Sequence, residues 1–328
     1  MIKLRSILPA CLLFPLTCFG WASTAPQEIT FTGSGIELSG TLTVPSNAKK
    51  SPAVLLMPGS GPTDRNGNQP GLQTNLLFDL SDTLVKNGYA TLRFDKRPVA
   101  RYQSVWPKTN PEISKFFSFE NHLADAKAAY EFLKSRPEID PEKIYILGHS
   151  EGGLIANQIA PDLKPAGLIL LGSPGRSMAE ILREQLMRSI SAIQDESLKS
   201  RLTSDLDRAL IQLTKEPVTL TDLHPGLQSL FSPSNADILH GYFTSDPIAN
   251  AKQYSGRVFI ANGEMDIQIS AISDAKPLHE AYGAKSHLEI IPNASHNFKT
   301  VTQPTDPGFT GPVHPKLVTS LLDWLKVK

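Results

Sequence analysis

Hydrophobic positions along the chain fall into short runs separated by longer amphipathic segments. The runs are typical of buried strands: "PAVLLMPG", "YATLRFD", "KIYILGH", "AGLILLGSPG", "RVFIANGEMD" and "HLEIIPNASH". Between and after them, apolar residues at helical spacing predict helices at Leu76–Asn87, at Phe119–Ser135, in "GGLIANQIA" and from about Lys316 to Lys328. This alternation predicts an α/β fold with a mostly parallel central sheet and helices on both faces.

Two segments near the start depart from that rhythm. "EITFTG" and "IELSGTLTVP" alternate apolar and polar residues and are separated by a turn, with no helix between them. Strands joined in this way pair antiparallel. We therefore expect an antiparallel start to the sheet.

A second departure is a long helical insert, residues 176–255, between the strands "AGLILLGSP" and "RVFIANGEMD". Leucines recur there every fourth residue, at Leu198, Leu202, Leu206 and Leu210. Ligands of open α/β sheets bind beyond the carboxyl ends of the strands, where this insert leaves the sheet. The sequence thus predicts an α/β core over 26–175 and 256–328 with a helical cap at 176–255. The alternative is a packing subdomain or dimerisation surface.

The N-terminal segment is a separate unit. "MIKLR" is a short basic start, and "SILPACLLFPLTCFGWA" is apolar and ends in small residues. This pattern predicts a secretory signal peptide over 1–22, cleaved after Ala22 or alternatively after Ala25, so we expect an exported protein, periplasmic or secreted, with no stable membrane span. Cys11 and Cys18 both lie within it, which leaves the mature chain without thiols. The alternatives are an uncleaved anchor and a lipoprotein.

Composition excludes several classes of function. The chain has 32 basic and 32 acidic residues, so nothing in its charge favours a nucleic-acid partner. It has no His-Glu-x-x-His motif, Cys/His cluster or phosphate-binding glycine loop, and no Gly-x-Gly-x-x-Gly opens a helix near its start. We therefore predict no metal and no cofactor.

The candidate chemistry begins at "GHSEGG". Gly148-His149-Ser150-Glu151-Gly152 fits the pattern Gly-x-Ser-x-Gly and lies directly between a predicted strand and a predicted helix. In that context the serine occupies a tight turn with its oxygen exposed at the helix N-terminus, and glycine is required where backbones approach closely. Ser150 is the predicted nucleophile, and a simple helix cap is the alternative.

A serine hydroxyl needs a base, and the base needs an orienting acid. Asp266 follows one predicted strand and His296 follows the next, in the chain order Ser, Asp, His. Glu264 is an alternative acid, although the loop length favours Asp266. His149 is adjacent to Ser150 but, inside the turn, is expected to point away from the working face of the nucleophile.

Acyl transfer also needs donors for the developing oxyanion. One predicted donor is the backbone N–H of Glu151, the residue after the nucleophile. The other is predicted in "MPGSGPTDRNGN", where glycines let the backbone approach the serine, and we favour the N–H of Ser60. An ordinary Gly/Pro turn is the alternative.

These motifs resemble the α/β-hydrolases of the serine esterase and aminopeptidase-like type. "GHSEGG" resembles the family's nucleophile elbow, "GEMD" its acid turn and "NASHNF" its histidine loop, while "PGSGPTDRNGN" and "GYATLRFDKRP" resemble a group of capped bacterial carboxylesterases. The resemblance implies an α/β-hydrolase fold and action on short acyl esters. One departure is "DKRPVARYQSVWPKTNPE", which carries Arg97, Arg101, Tyr102 and Trp106 and which we expect near the mouth of the binding site.

The sequence therefore predicts a serine hydrolase whose partner is a small-molecule ester. The first alternative is an aminopeptidase-like enzyme, which needs an acidic group to hold the substrate amine. The acids of the insert, Asp195, Glu196, Asp205 and Asp207, have a spacing that indicates a solvated helix face. The second alternative is a non-catalytic binding protein on the same scaffold.

Overall fold

An eight-stranded mixed sheet forms the centre of the protein. The computed structural model describes residues 25–46, 49–217 and 220–327, so the predicted signal peptide at 1–22 lies outside the described residues. The strand order is β1-β2-β4-β3-β5-β6-β7-β8. The strands are β1 Gln27–Thr32, β2 Glu37–Thr43, β3 Ser51–Met57, β4 Ala90–Phe94, β5 Ile139–His149, β6 Gly167–Leu171, β7 Arg257–Gly263 and β8 Ser286–Ile291.

Only β2 runs against its neighbours, because it pairs antiparallel with both β1 and β4, while every other pair is parallel. The predicted antiparallel start and parallel remainder are both confirmed. The helices are α1 Leu76–Lys86, α2 Asn110–Phe116, α3 Phe119–Ser135, α4 Glu151–Leu163, α5 Met178–Ser191, α6 Glu196–Leu213, α7 Pro225–Gln228, α8 Ala236–Thr244, α9 Pro247–Gln253, α10 Lys276–Tyr282 and α11 Pro315–Lys326.

The continuous apolar runs exist because the sheet is covered on both faces. In β3, Leu55 and Leu56 are both fully buried, yet they pack into different hydrophobic clusters because successive side chains point to opposite faces. One cluster includes α3, α4, α10 and helices of the insert, and the other includes α1 and α11. The sandwich fixes each strand, and with it the turn that follows its carboxyl end.

The helices α5–α9 all lie in the insert between β6 and β7. Tyr242 of α8 packs edge-on against Phe119 of α3, with ring centroids 5.1 Å apart. Where the insert begins, the fully buried Asp274 carboxylate accepts hydrogen bonds from the N–H groups of Gly175 and Arg176 and pairs with the Arg176 guanidinium at 2.9 Å. The insert is therefore joined to the core both by apolar packing and by a buried carboxylate.

The segment after β4 does not lie where we expected it. Arg97 is fully buried and pairs with Asp125 at 2.7 Å, and the Trp106 indole N–H donates to the Arg97 carbonyl. The Tyr102 hydroxyl accepts the N–H of Ser39. The prediction that this segment lies at the mouth of the binding site was wrong, because Arg97 binds α3 and Tyr102 binds β2, and none of the four residues lines the cleft that contains Ser150.

None of the helices that the structure describes is long and apolar enough to span a membrane. Within the same residues, no group of three or more His, Cys, Asp or Glu side chains is placed to hold a metal ion.

Candidate active site

Ser150 lies at the turn between β5 and α4 with an unusual backbone conformation. Its φ is 55° and its ψ is −121°, a combination that L-residues adopt only when the surrounding structure imposes it. The N–H of Ser150 donates to the Leu171 carbonyl at 2.9 Å, which ties the turn to the end of β6. The serine is thereby held at the carboxyl edge of the sheet.

The glycines around Ser150 are required by close backbone contacts. A Cβ added at Gly148 would lie 2.1 Å from the Gly152 carbonyl oxygen, and one added at Gly152 would lie 2.4 Å from the Met57 carbonyl oxygen. Because both obstacles are backbone atoms, no side-chain adjustment can relieve them. The steric argument made from the sequence therefore holds at both positions.

Asp266 and His296 are brought together by the last two strands. β7 and β8 pair in parallel up to Gly263 and Ile291, so the turns that follow both strands emerge at the same edge. There His296 Nδ1 lies 2.7 Å from Asp266 Oδ2, and the Asp266 side chain is fully buried. The other Asp266 oxygen accepts backbone N–H groups from Gln268 and Ile269. Three hydrogen bonds to the Asp266 carboxylate thus fix the geometry of the carboxylate–imidazole pair.

Gly172, directly after β6, lies against this pair. It has a φ of 53°, and a Cβ there would be 3.2 Å from His296 Nδ1 and 3.4 Å from Asp266 Oδ2. The absence of a side chain at Gly172 is what lets β6 approach the hydrogen bond so closely.

His149 lies beside His296, contrary to the expectation that it would point away. The two rings are 4.8 Å apart at their centroids, and His149 Nε2 lies 3.0 Å from the His296 carbonyl oxygen. Burial and then the neighbouring His296 charge lower the pKa of His149 from 6.5 to about 3. His149 is therefore a neutral ring that supports the histidine loop, and it cannot act as a second base near neutral pH.

Other candidate groups are engaged elsewhere. Glu264 is exposed and accepts the Asn293 N–H at 3.0 Å, so it braces the turn before His296 without contacting the ring. The remaining described histidines with hydrogen bonds bind local groups: His122 the Ser118 carbonyl, His224 the Gly226 N–H, His240 the Leu213 carbonyl, His279 the Ser286 hydroxyl and His314 the Lys316 N–H.

Ser150 and His296 open onto one cleft of about 280 Å³. Its lining is neutral and mostly polar, since none of the described residues that form it is an Asp, Glu, Lys or Arg. Loops rather than the insert supply the walls: Gly59, Ser60, Thr63, Gly67, Gln69, Leu72, Thr74, His149, Ser150, Gln268, His296, Asn297 and Phe309.

The two predicted oxyanion donors flank the serine. Glu151 begins α4, so its N–H has no partner within the helix. The Gly59–Ser60 peptide passes close to Ser150, because a Cβ on Gly59 would lie 3.3 Å from Ser150 Cβ. The Ser60 carbonyl accepts hydrogen bonds from the Thr63 hydroxyl and the Gln69 amide. No acceptor for the Ser60 N–H is found in the described part of the chain.

The insert contacts the acid turn of the site. From α5, the Arg188 guanidinium donates to the Ile267 carbonyl at 2.5 Å, and the Gln185 amide donates to the Gln268 carbonyl at 3.1 Å. Both acceptors directly follow Asp266. The role of the insert as a cap over a substrate stays a prediction, whereas its contacts brace the loop that carries the acid.

Sequence reasoning missed three side chains near the serine. Thr63 and Gln69 line the cleft, and the Lys96 ammonium donates to the Gly59 carbonyl at 2.5 Å. Lys96 lies two residues after the end of the buried strand β4, and a charged residue in that position was the available signal. Thr63 and Gln69 carry no comparable signal, because they lie in an irregular loop.

Comparison with known proteins gives a consistent picture. A family model described as "Serine aminopeptidase, S33" matches residues 73–300. The esterase EstD of Thermotoga maritima is 27% identical over 266 residues, which cover 81% of this chain and 57% of the relative. The quorum-quenching protein AidA of Acinetobacter baumannii is 26% identical over 129 residues, 39% of this chain and 37% of that protein. The chain thus spans a little more than half of the first relative's length and little more than a third of the second's.

Solved structures with the same fold cover almost the entire chain. Est1E from Butyrivibrio proteoclasticus has a TM-score of 0.56 at 17% identity, over 91% of this chain and 96% of that one. The Pyrococcus furiosus esterase PF2001 has a TM-score of 0.57 at 15% identity, over 92% and 90%. At this level of identity the likeness establishes the fold, and it confirms the predicted α/β-hydrolase architecture.

Proposed function

The chain belongs to the serine aminopeptidase, S33 family, and from that premise we propose that it is a serine hydrolase that cleaves carboxylic esters with short acyl groups through an acyl-enzyme. One observation carries the proposal. A serine held in a strained turn shares a cleft with a histidine whose other ring nitrogen is hydrogen-bonded to a buried carboxylate. This arrangement activates a hydroxyl for attack on a carbonyl.

In the proposed reaction, Ser150 attacks the ester carbonyl and His296 accepts the hydroxyl proton at Nε2. Because His296 Nδ1–H is donated to Asp266, Nε2 is the nitrogen that remains basic. Asp266 keeps the ring in this tautomer and stabilises the imidazolium that forms. His296 then returns the proton to the leaving alcohol, and water releases the acyl group by the same steps.

The negative charge on the carbonyl oxygen would be held by two backbone donors, the N–H groups of Ser60 and Glu151. Glu151 also supplies the positive end of the α4 dipole, which favours an anion at this place. Since both donors belong to rigid backbone next to Ser150, little reorganisation is needed when the oxyanion forms. The reaction requires neither a metal nor another cofactor.

The cleft supports a small ester as substrate. Its volume of about 280 Å³ lies just below the usual range of ligand pockets, roughly 300–1,000 Å³, which favours short acyl groups over long chains. Amide and hydroxyl groups from Thr63, Gln69 and Asn297 face it alongside Leu72 and Phe309. Such a lining suits an uncharged ester that also carries a polar, hydrogen-bonding group.

The aminopeptidase alternative lacks a group to hold a substrate amine. The described lining contains no carboxylate, and the acids of the insert have other partners. Asp205 binds Arg201 and Arg208, and Asp207 binds Arg183. Asp195 caps α6 and Glu196 pairs with Lys199. The family description keeps this alternative worth testing, and rates with aminoacyl p-nitroanilides against p-nitrophenyl acetate separate the two activities.

The deciding experiment is the Ser150→Ala variant. We expect it to lose hydrolysis of p-nitrophenyl acetate and labelling by a fluorophosphonate probe while unfolding at the temperature of the wild type. Ser135→Ala, at the exposed end of α3, is the matched control and should keep both. Full activity or full labelling in the Ser150 variant would refute the assignment, and no labelling of the wild type would favour a binding protein.

Export is the remaining part of the proposal. Its support is the basic start and apolar run within residues 1–22, and we expect cleavage after Ala22. N-terminal sequencing of the protein recovered from the periplasm or medium checks this. Recovery from the cytoplasm with Met1 retained would contradict it.

A further inference from the structure

A buried lysine lies behind the proposed oxyanion site. The Lys96 side chain is 5% exposed, and its ammonium donates to the Gly59 carbonyl at 2.5 Å and pairs with Glu151 Oε1 at 3.2 Å. The Glu151 side chain is 2% exposed. Removing two charges from water costs free energy that their attraction does not fully offset. We therefore look for a role of this buried pair other than stabilising the fold.

The first contact fixes the direction of one proposed donor. The carbonyl of Gly59 and the N–H of Ser60 belong to a single planar peptide group, and in a trans peptide these two bonds point in opposite directions. Holding the oxygen of this group on the Lys96 side therefore turns the Ser60 N–H the other way. The Ser60 carbonyl, which belongs to the next peptide group, is held separately by Thr63 and Gln69, so the backbone is fixed on both sides of Ser60.

The second contact joins this peptide to the other donor. Glu151 contributes its N–H at the start of α4, while its side chain binds the same ammonium. One cation thus connects the loop after β3 with the turn that carries the nucleophile. The spacing between the two donors depends on Lys96.

The surroundings of the pair strengthen its effect. Burial, followed by the Glu151 charge and a hydrogen bond to that carboxylate, raises the pKa of the Tyr242 hydroxyl well above its usual value of 10. Tyr242 therefore stays a neutral neighbour. In such a poorly solvated place, a cation on a carbonyl oxygen polarises the peptide and makes its N–H a better donor.

We propose that Lys96 and the Glu151 side chain are positioning residues that align and polarise the two backbone donors of the oxyanion site. The inference rests on the proposed function, because it gives those donors a role in the reaction. It also explains a glutamate next to the nucleophile that does not face the cleft lining.

The test compares Lys96→Met with the wild type in two assays. One is the second-order rate of Ser150 labelling by a fluorophosphonate, whose phosphonyl oxygen takes the place of the oxyanion. The other is the hydrolysis of p-nitrophenyl acetate. Loss of one oxyanion donor costs on the order of 10²–10³ in kcat, so misalignment should cost about 10- to 100-fold in labelling rate and kcat, with KM changed less than about threefold.

Three variants separate positioning from stability. Asp125→Asn breaks the neighbouring buried Arg97 pair and should lower the unfolding temperature with little change in kcat. Glu151→Gln weakens the contact with Lys96 but keeps an oxygen in place, so it should reduce the labelling rate by less than Lys96→Met does. The double variant Lys96→Met with Glu151→Gln leaves no unpaired charge at the site. It should therefore fold even if Lys96→Met alone does not, and we expect it to react slowly with the fluorophosphonate.

The outcomes are distinct. Wild-type labelling rate and kcat in folded Lys96→Met, or an equal loss of kcat in Asp125→Asn, would overturn the inference. A wild type that labels at Ser150 but hydrolyses no ester refutes the proposed function, while the labelling rates still decide the role of Lys96. A wild type that neither labels nor hydrolyses overturns both.

Discussion

Replacing Asp266 by asparagine tests the proposed acid directly. The change keeps the volume of the side chain and an oxygen for the two backbone N–H groups, but it removes the charge 2.7 Å from His296 Nδ1. An amide N–H facing Nδ1 would also force the ring proton to Nε2, where it blocks acceptance of the serine proton. Both effects lower kcat, while the contacts of the cleft with the substrate stay the same.

The size of the loss follows from the charge separation. Two opposite unit charges about 4 Å apart attract by about 4 kcal/mol at an effective dielectric constant of about 20, and we take this as the scale for the imidazolium beside the carboxylate. Since about 1.4 kcal/mol is a factor of ten, this is on the order of 10³ in kcat. The tautomer effect adds to it, and the same replacement in a Ser-His-Asp triad typically costs about 10⁴.

The assay is steady-state hydrolysis of p-nitrophenyl acetate across pH, with Glu264→Gln as the matched control. Glu264 is the other acid of the same turn, and its side chain accepts the Asn293 N–H. We expect Glu264→Gln to keep kcat within a few-fold. A loss below about tenfold in Asp266→Asn, or an equal loss in Glu264→Gln, would refute the assignment of the acid.

Three further predictions concern stability. Gly152→Ala, whose Cβ meets the Met57 carbonyl, should lower the free energy of urea unfolding by about 3 kcal/mol. Asp274→Ala, which leaves Arg176 without its buried partner, should cost about 3 kcal/mol in the same measurement. The folded protein keeps His149 neutral down to about pH 3, whereas the unfolded chain protonates it below about pH 6.5. The free energy of unfolding should therefore be unaffected by His149 above pH 6.5 and fall by up to about 1.4 kcal/mol per pH unit between pH 6.5 and 3. His149→Asn should therefore flatten the pH dependence of the urea midpoint between pH 6 and 4, and an unchanged slope would contradict this.

The sheet could be predicted because strands buried on both faces have a recognisable local sequence pattern, a continuous run of apolar residues. Runs such as "AGLILLGSPG" have no polar face, and strands of this kind are typical of parallel sheets covered by helices on both faces. The expected positions of Ser150, Asp266 and His296 followed from the same runs, since each residue was predicted directly after a strand. Their chemical roles stay predictions, although the structure brings the three to one edge of the sheet.

What the sequence did not reveal depends on contacts between distant segments. Lys96 binds Gly59 and Glu151, which lie 37 and 55 residues away, and no local pattern announces such a pair. Arg97 was expected near the mouth of the binding site, but it pairs with Asp125 on α3 in the interior. In each case a buried partner, remote in sequence, decided where a polar side chain lies.

At Ser150, the backbone conformation that the proposed activity requires lowers the stability of the fold. Backbone angles such as its φ of 55° and ψ of −121° cost about 1–3 kcal/mol for an L-residue. Glycine adopts these angles without that cost, although the greater entropy of its unfolded chain lowers the free energy of unfolding by about 0.5–1 kcal/mol. The most stable version of this turn is therefore one that lacks the hydroxyl, and selection for stability alone would remove the proposed nucleophile. A serine at this position therefore fits the proposed chemistry better than it fits a requirement for stability alone.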